Sequence, residues 1–244
     1  GKNYIEVDYS NEKLPTYEIY LDEEDIGIHL IYKPKLRGWM PGEGFTDFGT
    51  LGQFGWAVAI PRADVEGTIK VDNNEIKVKG IGYHDHNWIT FNLVRVVDYW
   101  HWGRVYSDNF TIIYAYIKCN KKMDNYPISI LMIAKGDEII HSTGEFEFVE
   151  EGFTYNEKAG NKYTNSLMFK LSDNQSISLN VKSIIDADNL LFELSPLLRF
   201  LAKNVLRIKP GYFRLKSEYL IDYIHDGERF KEKGDTLHEM VIVK

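Results

Sequence analysis

Short runs of β-branched and aromatic residues, separated by Gly, Asn and Asp, recur along most of this 244-residue chain. This pattern constrains the fold more than any other feature, because such runs are typical of strands bounded by turns. Val71–Glu75 and Lys135–Glu138 are each expected to form a hairpin turn between two runs. The sequence therefore predicts a mainly β protein built from antiparallel barrels or sheets.

One segment departs from the strand pattern. Between Asp188 and Leu206 the apolar residues recur at helical spacing, which predicts a helix with Asp188 or Ser195 as its N-cap. The helix would pack on the wall of a barrel, form a lid over a ligand cavity, or contact a membrane. Membrane contact would suit the basic residues in and after the segment, which are Arg199, Lys203, Arg207 and Lys209.

Composition and charge restrict the partners of the chain. The formal net charge of -7 disfavours a nucleic-acid groove, which needs clustered Lys and Arg, and it disfavours general attraction to anionic membranes. Peripheral membrane contact through the basic flank is left open, as is the oligomeric state. The single cysteine rules out an internal disulfide framework, and no segment approaches the roughly 20 apolar residues that span a bilayer. We expect a cytoplasmic protein that uses no cofactor.

The stretch GIGYHDHNWIT, residues 80–90, has the highest density of chemically reactive side chains. Successive side chains of a strand point to opposite faces. If residues 81–88 form a strand, Tyr83, Asp85 and Asn87 share one face. The other face then carries His84, His86 and Trp88. The two faces support two different hypotheses.

A metal site would use the second face, because His84 and His86 in an H-x-H pattern point two imidazoles the same way. Further ligands would come from His101, Glu43 or Asp47, but no spacing favours any of them. The chain also lacks a second H-x-H and an H-E-x-x-H motif. We therefore expect no metal.

An acid site would use the first face, with Asp85 as the acid. A carboxylic acid that protonates carbon must carry its proton near neutral pH, a state that burial among apolar side chains favours. A neighbouring histidine such as His84 could return the proton, and aromatic faces could stabilise a cationic intermediate. The alternative is structural, with Asp85 accepting hydrogen bonds at the end of a strand.

The segment DYWHWGRVYSD, residues 98–108, repeats the alternation of aromatic and polar residues. Trp100, Trp102 and Arg104 fall on one face of the expected strand, and His101 and Gly103 fall on the other. Arg104 is therefore placed to stack on an aromatic ring or to pair with a carboxylate. A structural Arg–Asp pair joining two domains is the other interpretation.

Three segments, FGWAVAIPRADVEGTIKV, GIGYHDHNW and WHWGRVYSD, resemble the hydroxyneurosporene synthase (carotenoid hydratase) family. This lipocalin-like group also includes fungal Diels–Alderases and yeast survival-factor lipid-binding proteins. The resemblance runs from about Trp39 to Tyr114 and implies two tandem lipocalin-like β-barrels with a hydrophobic ligand cavity. We expect domains at residues 1–96 and 97–244. The first has too few residues for a comfortable eight-stranded barrel, so it is truncated, reduced or completed from elsewhere.

The resemblance also implies roles for individual residues. Asp85 matches the acid thought to protonate an isolated isoprenoid double bond, and Tyr83 matches its supporting tyrosine. The hydratase pattern has His-x-Trp where this chain has Phe54-Gly55-Trp56, so Trp56 fits but Phe54 replaces the histidine. Loss of that polar partner favours cyclisation or isomerisation, which tolerate a drier pocket than hydration.

The sequence therefore predicts an enzyme that binds an isoprenoid or similar hydrophobic polyene and protonates a C=C bond with a buried Asp85, supported by Tyr83 and His84. The residues expected to contact substrate are Phe54, Trp56, Asn87, Trp88, Trp100, Trp102, Arg104 and Tyr106. Two alternatives stay open. One is a non-catalytic carrier or sensor of a lipid, and the other is a Diels–Alderase-like pericyclase.

Overall fold

A computed structural model describes residues 3–72, 74–193 and 209–243. The described residues form fifteen strands and four short 3-10 helices, so the prediction of a mainly β protein is confirmed. The strands of the first half are β1 Tyr4–Asp8, β2 Thr16–Asp22, β3 Ile26–Pro34, β4 Phe45–Asp47, β5 Gln53–Val71 and β6 Asn74–Ile89. The remaining strands are β7 Val97–Tyr106, β8 Phe110–Cys119, β9 Pro127–Lys135, β10 Glu138–Thr143, β11 Glu147–Asn156, β12 Asn161–Ser172, β13 Gln175–Asn189, β14 Gly211–His225 and β15 Glu228–Ile242. The 3-10 helices are Gly49–Leu51, Leu93–Arg95, Lys121–Met123 and Leu190–Glu193.

The chain divides into two compact units. The first comprises Gly1–Phe91 and Ala134–Ile139, and the second comprises Asn92–Ile133 and Ile140–Lys244. The division into lipocalin-like domains at residues 1–96 and 97–244 stays a prediction.

The first sheet has six strands in the order β1-β2-β3-β5-β4, with β6 paired along β5. Two runs that read as separate strands in the sequence, GWAVAIP and EGTIKV, form the single strand β5. The register between β5 and β6 shifts twice, between Ala57 and Ile60 and between Ile60 and Ala63. Pro61 lies in the second shift, where its missing N–H interrupts no regular ladder. The bulges therefore allow one long strand to contain a proline without ending there.

Both predicted hairpins are confirmed. Val71 pairs with Asn74, and Asp72 has the left-handed φ of +47° that a tight turn requires. At the second hairpin β9 and β10 are neighbours in the sheet, and Gly136 has a φ of +61°. Asp and Gly are residues that adopt a positive φ at low cost.

The second sheet has nine strands in the order β10-β9-β8-β7-β15-β14-β13-β12-β11. It curls back on itself, since Phe148 of β11 stacks on Tyr116 of β8 with ring centroids 3.9 Å apart. The interior of this curled sheet is filled by fully buried apolar side chains that include Phe110, Leu167 and Phe169. Residues 101, 103 and 105 of β7 face this interior, as strand alternation requires.

The predicted helix at 188–206 lies mostly outside the described residues. Asp188 itself belongs to β13, and the four residues Leu190–Glu193 form a 3-10 helix. Residues 194–206 of the predicted segment are not described. Within the described ranges, no helix is long and apolar enough to cross a membrane.

Candidate active site

The carboxyl group of Asp85 is held by two hydrogen bonds to one of its oxygens. Trp56 Nε1 donates to Oδ2 at 2.8 Å, and the Tyr83 hydroxyl donates to the same oxygen at 2.9 Å. The other oxygen, Oδ1, accepts no hydrogen bond from the described residues. Tyr83 and Asp85 share one face of β6, as the alternation of the strand predicts. The result is an oriented carboxyl group with one oxygen left for a ligand.

Asp85 is half-buried rather than fully buried, which differs from the expected buried acid. The reason lies in the sheet. Among the described strands, β6 pairs with β5 alone, so its other edge is not covered by a neighbouring strand. A side chain on an edge strand keeps more contact with solvent than one in the middle of a sheet.

Trp56 brings a rigid aromatic wall to the same carboxyl group. Its side chain is only 3% exposed, and Trp39 packs edge-on against its indole with ring centroids 5.7 Å apart. Trp39 also forms a two-way backbone bridge with Val58, at the first β5 bulge. Bulges re-aim side chains next to functional sites. Trp39 thus joins the site through its contact with Trp56.

Phe54 and Asn87 lie on the strands that carry the site. Asn87 pairs directly with Trp56 across β5 and β6, and Phe54 pairs with Ile89 two residues further along the same ladder. Paired residues of antiparallel strands project to the same face, so both lie on the Asp85 face. One face of the β5–β6 pair therefore carries Tyr83, Asp85, Asn87, Trp56 and Phe54, and on it Trp56 and Tyr83 bond the Asp85 carboxyl group.

His84, His86 and Trp88 lie on the opposite face of β6. The rings of His86 and Trp88 stack with centroids 6.3 Å apart. Trp88 lies across Gly55, where a Cβ would fall 1.9 Å from its ring, so a larger residue at that position would force the ring to move. His84 pairs with the buried Ile60, and its Nδ1 is buried with no hydrogen-bond partner among the described residues. The structure does not bring these three residues to the Asp85 carboxyl group.

The four expected contact residues of β7 belong to the second unit. Trp100, Trp102, Arg104 and Tyr106 are half-buried on the face of β7 that points away from the interior of the curled sheet. The Arg104 guanidinium carbon lies 5.3 Å from the Trp102 ring centroid and 5.9 Å from that of Tyr106. Arg104 therefore takes the stacked arrangement, one of the two that the sequence suggested.

A second polar cluster lies inside the second unit. Glu150 of β11 accepts hydrogen bonds from His101 Nε2 at 2.8 Å and Thr164 Oγ1 at 3.0 Å on one oxygen, and from the Tyr99 hydroxyl at 2.6 Å on the other. Burial acts to raise the pKa of Glu150, but the hydrogen bond and charge of His101 hold it below its ordinary value. Burial and the bond to Glu150 raise the pKa of Tyr99. The sequence carried no signal for Glu150, which lies far from β7 along the chain.

The expected ligands of a metal site do not converge. In the described part of the chain, no group of three or more His, Cys, Asp or Glu side chains could hold a metal ion. His101 is bound to Glu150, and Asp47 Oδ1 accepts a hydrogen bond from the backbone of Gly49. A cavity of about 890 Å³ in the first unit is lined by residues that include Tyr17, Leu36 and Arg37, and Asp85 does not line it.

Comparison with known proteins identifies the family. The Diels-Alderase-like family matches residues 33–176, which is more than half of the chain and includes both Asp85 and Glu150. The chain belongs to the Diels-Alderase-like family. It is also 30% identical over 95 residues to a protein named hydroxyneurosporene dehydrogenase from Chlorobaculum tepidum. That alignment covers 36% of this chain and 23% of the relative, so the chain matches about a quarter of the relative's length.

Three solved structures show the same fold. Kievitone hydratase from Nectria haematococca matches with a TM-score of 0.62 and 16% identity, over 99% of this chain and 69% of that one. A putative AttH from Nitrosomonas europaea matches with a TM-score of 0.60 and 15% identity, over 94% of this chain and 65% of that one. CghA with Sch210972 matches with a TM-score of 0.58 and 10% identity, over 95% of this chain and 65% of that one. The chain thus spans about two thirds of these proteins, which share its fold.

Proposed function

We propose that this protein is an enzyme that binds an isoprenoid or similar hydrophobic polyene and protonates one of its C=C bonds with Asp85. The arrangement of the Asp85 carboxyl group carries the proposal, because two donors fix Oδ2 and leave Oδ1 available to a ligand. Membership of the Diels-Alderase-like family and the shared fold with a hydratase support a catalytic role on a hydrophobic small molecule.

In the proposed reaction each oxygen of the carboxyl group has its own part. Oδ1 holds the proton and delivers it to carbon, while Oδ2 takes up negative charge as the proton leaves. Trp56 and Tyr83 already donate to Oδ2, so they stabilise that charge without reorganising. Trp56 is 3% exposed, so it acts on the carboxyl group through its indole N–H. Tyr83 and Trp56 are therefore proposed to position and assist the acid.

Phe54 favours cyclisation or isomerisation over hydration. It occupies the Asp85 face two residues from Trp56, where a ring neither activates nor positions water. After protonation the cation would then lose a proton or close a ring. His84 lies on the other face of β6, so its proposed part as a proton relay needs a connection around the strand edge.

A pericyclase is the second candidate, and membership of the Diels-Alderase-like family supports it. In that reaction Asp85 would accept a hydrogen bond from the substrate through Oδ1 and transfer no proton. A carrier or sensor of a lipid would use the same residues without forming product. The three functions differ in what the carboxyl group must do, so they respond differently to its replacement.

Asp85→Asn tests the proposal directly, because it keeps the shape of the side chain and removes its acidity. The purified protein is incubated with a panel of isoprenoids and polyenes, and products are measured by mass spectrometry. We expect turnover to fall by about 10²–10⁴-fold, the usual contribution of a general acid. The control is Asp25→Asn, an exposed carboxylate of the same unit, which should keep full activity. Full activity of Asp85→Asn would rule out Asp85 as the acid. If the unmodified protein binds an isoprenoid but forms no product, the carrier function is favoured.

A further inference from the structure

A stretch of chain before β4, residues 39–44, is attached to β5 on both sides of the position from which the Trp56 side chain projects. At one end Trp39 and Val58 exchange two backbone hydrogen bonds, each of 2.8 Å. At the other end Gly44 O accepts a hydrogen bond from Trp56 N at 2.9 Å. We call residues 39–44 the strap. Because the strap runs from residue 39 to residue 44 while β5 runs only from residue 58 to residue 56, it loops out between its two attachment points.

The conformation of the strap is fixed by a turn and by a close approach to β5. Gly44 N donates to Pro41 O at 2.8 Å, which closes a four-residue turn, and Gly42 in that turn has a φ of +53°. Gly38, which precedes the strap, lies so close to β5 that a Cβ there would fall 3.2 Å from a backbone oxygen of that strand. Glycine permits both the positive φ and the close approach. These contacts determine the place from which the Trp39 side chain projects.

From that place the Trp39 ring supports the Trp56 indole. The two ring centroids lie 5.7 Å apart and the ring planes are inclined at 80°, which is the edge-to-face arrangement that aromatic pairs prefer. Trp39 is 8% exposed and Trp56 is 3% exposed, so the ring pair is shielded from water. Closely packed interior side chains are held in single rotamers by their neighbours. The Trp39 ring therefore restricts rotation of the Trp56 indole.

The orientation of that indole decides whether its N–H reaches the carboxyl group. Trp56 Nε1 donates to Asp85 Oδ2 at 2.8 Å, and a hydrogen bond weakens steeply when the donor turns away from its acceptor. We infer that Trp39 is a positioning residue of the site, which holds the Trp56 indole in the orientation that donates to Asp85. The consequence for the rate rests on the proposed protonation by Asp85, whereas the orientation of the indole does not.

Trp39→Leu tests the orientation of the indole without any substrate. Leucine presents no ring to Trp56, so we expect the indole N–H to turn away from Asp85. In a proton–nitrogen NMR spectrum the Trp56 indole resonance, identified by its absence in Trp56→Phe, should move upfield and exchange faster with D₂O. Phe48→Leu is the matched control, because Phe48 is also an aromatic residue of the first unit with 8% exposure and it packs on Phe91. The control should leave the Trp56 resonance unchanged.

The rate of the proposed reaction tests whether this orientation matters for the chemistry. Trp39→Leu should lower kcat by about tenfold, because a displaced donor stabilises the charge that develops on Asp85 less well. KM should stay within about twofold of its original value, because the lost interaction strengthens only as the proton leaves. Trp39→Phe returns an aromatic ring next to Trp56 and should recover most of the lost rate. Phe48→Leu should keep the full rate.

A double variant tests whether Trp39 acts through Trp56. Trp56→Phe removes the donor, so adding Trp39→Leu should lower kcat by less than about a further twofold. A further loss of about tenfold would overturn the inference, because Trp39 would then act by another route. An unchanged Trp56 resonance in Trp39→Leu, or an equal change in Phe48→Leu, would also overturn it.

Failure of the proposed function has a different signature. It fails if the unmodified protein forms no product, or if Asp85→Asn keeps full activity. Neither result alters the NMR comparison, in which a displaced Trp56 resonance in Trp39→Leu alone supports the positioning role and an unchanged resonance contradicts it.

Discussion

The two units each hold a carboxylate that accepts hydrogen bonds from a tyrosine and from an aromatic N–H, yet the two carboxylates are used differently. Both oxygens of Glu150 are occupied, by His101 and Thr164 on one and by Tyr99 on the other. Only Oδ2 of Asp85 is occupied, and Oδ1 faces no donor among the described residues. Similar donors therefore satisfy both oxygens of Glu150 and leave one oxygen of Asp85 available to a ligand.

The surroundings of the two carboxyl groups also differ. The Glu150 side chain is 16% exposed, and its partner His101 is fully buried in the curled second sheet. Asp85 lies on an edge strand and stays half-buried. Replacing Glu150 should therefore be costly mainly for folding, and replacing Asp85 mainly for activity.

Glu150→Leu is expected to have the largest effect on stability. It leaves His101, Tyr99 and Thr164 without their common acceptor, and loss of one partner of a buried charged pair costs about 3–5 kcal/mol. Denaturant unfolding monitored by tryptophan fluorescence measures the change. The adjacent Glu151→Leu is the control because Glu151 is exposed on the same strand and should change the unfolding free energy by less than about 0.5 kcal/mol. Equal effects of the two substitutions would contradict the structural role of Glu150.

Acid should destabilise the second unit through His238. Its pKa is lowered in the folded protein from 6.5 to about 3, so below about pH 6.5 the unfolded chain binds a proton that the folded protein does not. The contribution of His238 to the free energy of unfolding is therefore fully present above about pH 6.5 and is lost as the pH falls towards 3. Between about pH 7 and about pH 5 the loss is about 2 kcal/mol. Urea unfolding at a series of pH values measures how the free energy of unfolding changes with pH.

His238→Leu provides the control for this pH dependence. It removes the titrating group, so the slope between about pH 7 and about pH 5 should largely disappear, whatever the absolute stability of the variant. An unchanged slope would show that other groups cause the acid sensitivity. The lowered pKa of Glu150 acts in the same direction at lower pH, because a carboxylate must be protonated for its hydrogen bonds to weaken.

Tyr83→Phe should have the smallest effect on stability but a clear one on activity. It removes one of two donors to Asp85 Oδ2, and a single such bond contributes about 1 kcal/mol to folding. In the proposed reaction the loss of one stabilising donor should lower the rate by at least about tenfold. Trp88→Phe on the opposite face of β6 serves for comparison and should leave the rate within about twofold, since Trp88 contacts Gly55 and not the acid. A larger rate loss in Trp88→Phe than in Tyr83→Phe would reverse the assignment of faces.

The sequence predicted the β class, both hairpins and the separation of faces around Asp85, because each depends on local turn chemistry or on strand alternation. It did not predict that β5 continues through Pro61, since the two bulges depend on pairing with β6. It also did not predict the half-burial of Asp85, because the position of β6 at a sheet edge follows from the order of strands. Glu150 could not be found from sequence, because it joins its cluster through a contact between strands that are distant along the chain.

Proton transfer from Asp85 to carbon is the central claim, and deuterium incorporation from heavy water tests it most directly. The Asp85 proton exchanges with solvent, so a reaction run in D₂O places solvent deuterium on the protonated carbon. We predict a product one mass unit heavier than the product formed in H₂O, with the label on a carbon of the former double bond. A product that carries no carbon-bound deuterium would contradict the account and would favour a pericyclic reaction.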